Sequence, residues 1–542
     1  AIRVSCSVSA PPHPDTPAEE FILLLRHAGV RTVLVHGARA AQALEAVRSA
    51  HPGLREIVCL EPEGATGRTA DDLQREGRGG ASFSERAARV RLDDLATIIY
   101  TSGTTGRPKG VMLAQSNFAH QLRVLPALLD IDDDETFLSL LPPWHIFERI
   151  VEYVALTQGC CLAYTDQRHF RDDLAALEPS FVPSVPRIWE TVYQRVQKSL
   201  AEGSALRRGL FRGATAVASA RAFAWDRARG HALQWRRHSP PVEGLLRGGA
   251  LLLAGLALPL DRLAHRVVFR RLRALVGRRL KGAISGGGLM PHHIDRFFRA
   301  IELPVLVGYG LTETSPVLTL RSPRRNVVGS IGRVVPEVEL EVRDPETGQR
   351  LASGEVGVVF TRGPQVMRGY FQEPELTARV LDAQGWFNTG DLGALTPSGD
   401  LCFRGRAKET IVLSGGENVE PSHVEEALLA SPLVEQVVVV GQDRKVLAAL
   451  VLPRAEELAQ ALGLQAPLTP SEAAARPAVR ELLRAEAVRL TARLKPFERV
   501  ARVALLPAPL DVAGGCLTPT LKVRRHVVAQ RCAALIEEAY GG

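Results

Sequence analysis

The chain has 542 residues, of which 46% are hydrophobic and 23% charged, and this balance excludes a disordered or fibrous protein. Such a length predicts three or four domain-sized units, roughly one per 100–200 residues. The seven scattered cysteines form no C-x-x-C pair and indicate neither a disulfide framework nor a zinc site, so a reducing compartment is favoured.

The sequence shows neither a signal-type leader nor an uncharged apolar run of about 18 residues, so we expect a protein that is not secreted. Its net charge of +8 is uneven, because residues 204–281 contain seventeen Lys or Arg and three acidic residues. A basic segment of this kind suits an anionic membrane surface or nucleic acid. Because no RNA motif or zinc finger accompanies it, we expect no nucleic-acid partner.

The first 320 residues alternate between helix-like and strand-like stretches. An amphipathic helix, "AEEFILLLRHAG", precedes the strand "RTVLVHG". More strands are predicted at "LATIIYT", "TFLSLLP", "CCLAYT", "SFVPSVP", "KGAISGG" and "PVLVGYG". This alternation predicts a parallel sheet with covering helices.

Within the basic segment, residues 248–260 carry no charge. Thirteen residues are too few to span a bilayer of about 30 Å. We expect a helix packed inside the large domain, and a helix lying on a membrane surface is the alternative.

From residue 326 the sequence becomes rich in short strands and turns, and after Arg406 it becomes mixed. We therefore predict an α/β body over residues 1–325 with a basic helical insert at about 204–281, a β-rich subdomain over 326–405 and a C-terminal α+β lobe over 406–542. Ser422 and Glu425 have the spacing of a capping box and predict a helix start there.

The stretch "YTSGTTGRPKG", residues 100–110, resembles a phosphate-binding loop, because its turn offers backbone N–H groups and Lys109 adds a charge. We place it between a strand and a helix. It is not a Walker motif, since Pro108 precedes Lys109 and Gly110 follows it. A polar surface loop is the alternative.

Later stretches have the same character: "SGGGLM", "GYGLTETSP", "GWFNTGDLG", "RGRAKETIVLSGGENVEP" and "LTPTLKVRR". Glu313 is a candidate Mg²⁺ ligand, and Asp391, placed in a tight turn, is a candidate acceptor for ribose hydroxyls. The last two stretches also supply the basic residues Arg406 and Lys522. The alternatives are a helix cap for Glu313, a turn residue for Asp391 and surface charges for the other two.

In this order the motifs resemble the adenylate-forming superfamily of acyl-CoA synthetases, luciferases and peptide-synthetase adenylation enzymes. "LPPWHIFERIVEYVALTQGC" and "VPRIWETVYQRVQ" are similar to its long-chain fatty acid branch, most of all to cyanobacterial and plastid acyl-ACP synthetases. The resemblance implies an α/β fold with a large N-terminal body of α/β layers plus a small β-barrel, a hinge at Lys408 and a mobile C-terminal α+β lobe. Since the family carries residues before "VSCSVSAPP", we expect the first βα units to be missing from this sequence.

The resemblance also implies ATP- and Mg²⁺-dependent activation of long-chain fatty acids, followed by transfer to coenzyme A or to the phosphopantetheine of acyl carrier protein. The phosphates would be held by Thr101, Ser102, Gly103, Thr104, Thr105, Gly106 and Lys109. The adenosine would be held by Gly286, Gly287, Tyr309, Gly310, Asp391 and Arg406. Thr101 and Glu313 would bind the metal, and the catalytic residues would be Lys522, Thr312, Glu313 and His145.

Trp189 occupies the position of the family's acyl gate, and an ordinary core tryptophan is the alternative. The neighbouring His292 and His293 lack metal-ligand spacing, so we interpret them as surface residues at a helix start. The alternative functions are a catalytically weak membrane-surface binder of fatty acyl groups or nucleotides, and a ligase for aryl or branched acids. We expect a cytoplasmic location, with peripheral membrane contact through the basic insert as an alternative. If the source is a photosynthetic eukaryote, we expect the plastid stroma or membrane.

Overall fold

The computed structural model describes residues 18–36, 41–42, 44–45, 48, 52–60, 68–77, 83–101, 108–274, 277, 279–415, 417–512, 514–517 and 523–541. Its N-terminal part begins with helix α1 (Ala18–His27). A parallel three-stranded sheet comes next, with strands β1 (Thr32–Val35), β2 (Glu56–Cys59) and β3 (Arg68–Thr69). Two short helices, α2 (Ala70–Glu76) and α3 (Phe83–Ala87), lead into the main body.

The next two strands form an antiparallel ribbon. Strand β4 (Leu95–Thr101) pairs with β5 (Lys109–Ala114), and helix α4 (Gln115–Leu129) continues directly from β5. A much later strand, β15 (Gly369–Tyr370), pairs with the other edge of β5. The ribbon thereby joins β5 to a strand that lies more than 250 residues later in the sequence.

The main sheet has seven strands in the order β12-β11-β10-β9-β8-β6-β7. Its strands are β6 (Thr136–Ser139), β7 (Cys161–Tyr164), β8 (Phe181–Ser184), β9 (Gly282–Ser285), β10 (Val305–Tyr309), β11 (Thr319–Leu320) and β12 (Arg333–Val334). The pairs from β7 to β10 are parallel, as predicted, and β11 and β12 add antiparallel pairs at one edge. Strands β8 and β9 are buried throughout because the sheet is covered on both faces.

Four helices of the body surround the main sheet near the site: α5 (Ile146–Gln158), α6 (Phe170–Leu177), α7 (Pro186–Ala201) and α11 (His292–Ala300). Helix α11 buries Phe297 and Phe298 in the same core that contains Phe137 and Phe181 of the sheet. His292 is exposed at the first position of α11, and His293 is half-buried beside Tyr193.

The β-rich region is a four-stranded antiparallel sheet made of β13 (Glu339–Arg343), β14 (Gly357–Arg362), β16 (Phe387–Leu395) and β17 (Leu401–Arg406), with helix α12 (Pro374–Ala378) at its side. Val359 and Phe387 belong to the core of the body, so this region shares a core with it. The predicted boundary at residue 326 was misplaced, since β12 lies beyond it and pairs with β11 of the main sheet.

The C-terminal lobe has its own core. Its elements are β18 (Ile411–Val412), β19 (Asn418–Val419), α13 (Pro421–Leu429), β20 (Val434–Val440), β21 (Leu447–Pro453), α14 (Ala455–Leu462), α15 (Pro470–Ala474), α16 (Pro477–Thr491), β22 (Val500–Leu505), α17 (Arg525–Arg531) and α18 (Ala533–Gly541). Alternate residues of β21 enter two apolar clusters, Leu447 and Ala449 in one, Ala448 and Leu450 in the other. The sheet β20-β21-β22 is therefore buried on both faces.

The predicted capping box at Ser422 was wrong. Helix α13 begins at Pro421 with Glu420 as its N-cap, which makes no side-chain cap. Glu425 instead accepts hydrogen bonds from Arg525 (2.8 Å) and from the backbone N–H of Val439 (2.8 Å). Proline at the first helical position starts the helix, because its fixed φ suits that position and it needs no partner for an N–H group.

The basic insert is a pair of long antiparallel helices, α8 (Ala205–Arg229) and α9 (Pro240–Ala264). A π-helical turn (His265–Phe269) and helix α10 (Arg270–Ala274) complete it, and we call residues 205–274 the helical hairpin. The expectation that residues 248–260 pack inside the body was wrong, because their leucines lie on the surface. Residues 240–269 are long and apolar enough to cross a membrane by length and composition, with 11% of their most apolar stretch buried.

Candidate active site

The Gly-rich loop after β4 connects two strands of the antiparallel ribbon. Thr101 and Lys109, at the two ends of the loop, are paired across the ribbon. The predicted strand-to-helix connection is thus corrected: from Lys109 the chain continues as strand β5, and helix α4 begins only at Gln115. Ser102, Gly103, Thr104, Thr105 and Gly106 lie outside the described residues.

Lys109, Tyr370 and Glu313 form the first polar cluster of the site. The Lys109 Nζ atom lies 5.2 Å from the centre of the Tyr370 ring, within cation–π range. The Tyr370 hydroxyl donates a hydrogen bond to Glu313 Oε1 at 2.9 Å. Burial, and then the charge of Glu313, raise the pKa of Tyr370, so the phenol stays protonated and acts as a donor. Sequence reasoning missed Tyr370, because only the β5–β15 pairing brings it here.

Glu313 is presented by a tight turn. Residues Thr312–Thr314 form one 3₁₀ turn after β10, and the Thr314 hydroxyl accepts a hydrogen bond from the backbone N–H of Leu311 at 2.9 Å. Glu313 sits inside this turn rather than at its cap. Position 310, three residues before Glu313, requires glycine, because a Cβ there would lie 1.5 Å from the carbonyl oxygen of Pro316.

Tyr309, Asp391 and Arg406 form the second polar cluster. The Tyr309 hydroxyl donates to Asp391 Oδ2 at 2.7 Å, and Arg406 Nε lies 3.2 Å from Asp391 Oδ1. Asp391 is 3% exposed and lies within β16, not in a turn as predicted. Burial above all, with a smaller effect of the Asp391 charge, raises the pKa of Tyr309. Its hydroxyl therefore donates at any ordinary pH.

This second cluster joins residues of three strands. Tyr309 ends β10 of the main sheet, Arg406 ends β17, and Asp391 is held by β16 between them. Tyr309 and Asp391 are 82 positions apart, so tertiary structure alone brings them together. A buried carboxylate beside a phenol and a guanidinium offers hydrogen-bond acceptors and donors suited to a sugar and its phosphate.

Gly286 and Gly287 follow β9, and Gly286 faces the start of α5. A Cβ on Gly286 would lie 3.2 Å from the Phe147 ring, so glycine allows close approach. His145 is the N-cap of α5, and its Nδ1 atom accepts a hydrogen bond from the backbone N–H of Phe147 at 3.2 Å. His145 thus has a structural role at this position, and its catalytic role stays a prediction.

Trp189 is a buried core residue in this conformation. Its indole N–H donates to Ser184 Oγ at 2.9 Å, and its ring packs edge-on against Phe298 with centroids 5.3 Å apart. These contacts correspond to the core alternative of the sequence analysis. The gate stays a prediction.

Lys408 lies in an exposed 3₁₀ turn (Ala407–Glu409) between the body and the lobe. Polar contacts join the C-terminal lobe to the body. Glu426 of the lobe accepts a hydrogen bond from the backbone N–H of His292, and Glu456 of the lobe pairs with Lys198. The hinge stays a prediction, and the predicted catalytic Lys522 lies outside the described residues.

Comparison with known proteins decides the family. A family model described as "AMP-binding enzyme" matches residues 7–371, and one described as "AMP-binding enzyme C-terminal domain" matches residues 408–542. The chain belongs to the AMP-binding enzyme family. The adenylate-forming resemblance is thereby confirmed. The second match of this AMP-binding enzyme begins at Lys408, the predicted hinge.

Curated relatives of this AMP-binding enzyme include "Probable acyl-activating enzyme 16, chloroplastic" of Arabidopsis thaliana, 40% identical over 83% of this chain and 64% of that protein. "Long-chain-fatty-acid–[acyl-carrier-protein] ligase AEE15, chloroplastic" of the same plant is 39% identical over 84% of this chain and 63% of that protein. "Long-chain-fatty-acid–CoA ligase FadD15" of Mycobacterium tuberculosis is 31% identical over 100% of this chain and 85% of that protein. The chain spans slightly less than two thirds of the length of the two plant relatives.

Solved structures confirm the fold of this AMP-binding enzyme. The adenylation domain of a carboxylate reductase from Mycobacterium chelonae superimposes with a TM-score of 0.72 at 23% identity, covering 99% of this chain and 77% of that one. The o-succinylbenzoate CoA synthetase of Bacillus subtilis superimposes with a TM-score of 0.64 at 20% identity, covering 95% and 82%.

Proposed function

We propose that the chain is an ATP-dependent, AMP-forming ligase that activates long-chain fatty acids and transfers them to a phosphopantetheine thiol. Family membership supports the reaction class, and the names of the plant and mycobacterial relatives support the fatty acid substrate. The observation that carries the proposal is the cluster in which the buried Asp391 accepts from Tyr309 and lies 3.2 Å from the exposed Arg406. Its donors and acceptors suit the ribose and phosphate of a nucleotide.

The chemistry has two balanced steps. In the first, a carboxylate oxygen of the fatty acid attacks the α-phosphorus of ATP, the bond to the β-phosphate oxygen breaks, and pyrophosphate leaves with that electron pair. In the second, the thiol sulfur attacks the acyl carbon, AMP leaves, and the thiol proton passes to solvent. Because two anions meet in the first step, the protein must supply positioning and positive charge.

The residues of the two clusters take separate roles in this proposal. Lys109 and the backbone of the loop from Thr101 to Gly106 hold the departing phosphates, and Asp391 accepts from the ribose hydroxyls, with Arg406 beside it. Gly286, Gly287 and Tyr309 border the adenine, with Gly310 next to Tyr309 in the nucleotide site and Thr312 near the α-phosphate. Trp189 remains the candidate gate and Lys408 the candidate hinge of a mobile lobe.

The site fits a magnesium ion on its ligand chemistry. Glu313 Oε1 accepts from Tyr370, and Glu313 Oε2 has no hydrogen-bond partner among the described residues. Carboxylate and hydroxyl oxygens are ligands that Mg²⁺ accepts, so Glu313 and Thr101 would hold it. A bound Mg²⁺ would neutralise charge on the phosphates, while Tyr370 fixes the orientation of the carboxylate.

Lys522 is proposed to bridge the attacking carboxylate and the α-phosphate. Lys522→Ala should lower adenylate formation by a hundredfold or more, because a preorganised charge is lost, and should still convert supplied acyl-AMP to thioester. Lys445→Ala, at an exposed lysine of the lobe, is the matched control and should leave both half-reactions unchanged. Equal losses in both half-reactions for Lys522→Ala would contradict this role.

The test of the whole proposal is mass spectrometry of products after giving the purified chain ATP, Mg²⁺, palmitate, coenzyme A and holo acyl carrier protein. A palmitoyl thioester together with AMP supports the ligase, and the labelled acceptor identifies the thiol partner. A profile that prefers aryl or branched acids would replace the fatty acid substrate. Nucleotide or fatty acid binding without AMP release would support the catalytically weak binder instead.

The location is proposed from the relatives alone. The two plant relatives are named as chloroplastic, which suggests the plastid if this chain comes from a photosynthetic eukaryote and the cytoplasm otherwise.

A further inference from the structure

The helical hairpin packs in the reverse of the usual pattern for a water-soluble helix. Helix α9 turns small residues inward, with Ala250, Ala254 and Ala264 buried. Its large side chains point outward: Leu245 is 78% exposed and Leu256 68%, and Val267 in the π-helical turn is 69% exposed. Soluble amphipathic helices bury their leucines, whereas helices that associate within lipid meet through small residues.

Seven of the exposed apolar side chains form a stripe along α9 and the π-helical turn. Their spacing of three, four or seven residues keeps them on one side of the helix: Val242, Leu245, Leu252, Leu256, Leu260, Leu263 and Val267. Helix α9 has 25 residues, so the stripe is roughly 40 Å long. A soluble monomer rarely exposes so long an apolar surface unless something covers it.

A row of positive charge flanks this stripe. Arg262, Arg266 and Arg270 are exposed and follow one another at intervals of four residues. None of the three has an acidic partner among the described residues. The acidic residues of the hairpin are engaged elsewhere: Glu243 with Arg227 at 2.7 Å and Asp261 with Arg221 at 3.0 Å. The surface beside the leucines is thus complementary to negative charge.

The hairpin is fixed flat against the body. Helix α8 contacts both α9 and α11: Asp226 pairs with Arg299 at 2.6 Å near one end, and Phe211 packs on Phe297 near the other, with centroids 6.3 Å apart. Trp235, in the connection between the two helices, lies beneath the Arg404 guanidinium. An orientation across a bilayer would bury these contacts and the six arginines of α8 in lipid, at a large energetic penalty.

We propose that the helical hairpin docks in the plane of an anionic phospholipid bilayer. The leucine stripe of α9 enters the boundary between headgroups and acyl chains, and Arg262, Arg266 and Arg270 contact the anionic headgroups. An apolar face bordered by arginines is the arrangement found in helices that lie in a membrane interface. Docking does not depend on catalytic turnover, so it can be tested separately from the proposed ligase.

The experiment is flotation of the full chain with vesicles of phosphatidylcholine alone or mixed with phosphatidylglycerol. The chain should bind the mixed vesicles at least tenfold more strongly, and added salt should weaken binding because surface charges are screened. The triple variant Leu252→Glu, Leu256→Glu, Leu260→Glu should lose this binding. Val488→Glu on α16, at another exposed apolar residue, is the matched control and should retain it.

The arginines are tested in the same assay. Each arginine near an anionic surface contributes about fivefold, so Arg262→Gln, Arg266→Gln, Arg270→Gln together should weaken binding on the order of a hundredfold. The exposed residues Arg168, Arg171 and Arg379, changed together to Gln, control for net charge and should have little effect. Equal losses in both triple variants would contradict a specific docking surface.

Four outcomes would overturn the proposal. One is a wild-type chain that floats no better than the glutamate variant. Another is a dimer in sedimentation analysis that the leucine variant dissociates, which would assign the stripe to a second copy. The third is a bound chain that resists extraction by alkaline carbonate, which would indicate a spanning helix. The fourth is an arginine variant that binds vesicles like the wild type but loses turnover with acyl carrier protein and keeps it with coenzyme A. That result would assign the arginine row to binding of acyl carrier protein.

Discussion

Helices α11 and α9 use apolar residues in opposite ways. Helix α11 buries Ile294, Phe297 and Phe298 under the main sheet, whereas α9 buries alanines and exposes leucines. Helix α9 is the more apolar of the two in sequence, yet it is the aromatic residues of α11 that belong to the core. An apolar side chain is stabilised when it is removed from water. Whether a protein core, another protein or lipid buries it depends on the tertiary structure and the environment.

The two helices should respond very differently to the same kind of truncation. Phe298→Ala should lower the free energy of unfolding by about 3–5 kcal/mol, because it leaves a cavity beside Trp189 and Phe297. Leu256→Ala on α9 should change it by no more than about 0.5 kcal/mol, because no core contact is lost. Denaturant unfolding measures both. A loss of several kcal/mol for Leu256→Ala in the absence of lipid would mean that α9 is part of a core.

Adding one methyl group at Gly310 tests how tightly the body is packed at the candidate site. Gly310→Ala should lower the free energy of unfolding by about 3 kcal/mol, the upper end of overpacking effects, because its Cβ would meet the Pro316 carbonyl oxygen. The shift of the Thr312–Thr314 turn should also lower adenylation by on the order of a hundredfold. Thermal unfolding and pyrophosphate release are the measurements. Normal activity in Gly310→Ala would show that the turn can relax and does not fix Glu313.

The sequence predicted the main sheet well and the surroundings of the site less well. Strands β6 to β10 are short apolar runs bounded by turn residues, so local pattern alone located them. Strand β5 was missed because "KGVMLAQSNFAH" runs from strand to helix without Gly or Pro between them.

Contacts between distant residues account for the rest. Tyr370 reaches Glu313 only through the pairing of β15 with β5, which no local pattern records. The exposure of the α9 leucines was missed for a related reason: composition indicates the length and polarity of a helix, not the face that it turns to its partner.

The body and the helical hairpin also contain acidic residues whose pKa values are shifted in opposite directions, Glu148 and Glu243. Burial raises the pKa of Glu148 to about 8, and its Oε2 atom has no hydrogen-bond partner among the described residues. In the helical hairpin, Arg227 and Arg247 lower the pKa of Glu243 to about 2. The surroundings of Glu148 therefore favour a neutral carboxyl group, and those of Glu243 favour an ionised one.

These shifts predict opposite pH dependences. The folded pKa of Glu148 is raised above its ordinary value of 4.5, so the free energy of unfolding should fall between about pH 5 and pH 8, by up to about 1.4 kcal/mol per pH unit. Glu148→Gln should flatten this limb. The folded pKa of Glu243 is lowered, so its stabilisation is present above pH 4.5 and is lost as the pH falls toward 2, and Glu243→Gln should flatten that acid limb. Unfolding at a series of pH values measures both variants, and an unchanged slope in Glu148→Gln would place its charge in water.

The smallest effect is expected from adding a methyl group to the helical hairpin. Gly255 lies on α9 with no other group within 4 Å of a built Cβ, in contrast to Gly310. Gly255→Ala should therefore stabilise α9 by about 0.5–1 kcal/mol, because alanine has less backbone entropy to lose in a helix. Amide hydrogen exchange of α9 is the sensitive measurement, since the change is local. Slower exchange confined to α9 would support an open surface at this position. Faster exchange would mean that Gly255 makes a close contact with another molecule, and the outward face of α9 would then be an interface between proteins rather than one that meets lipid.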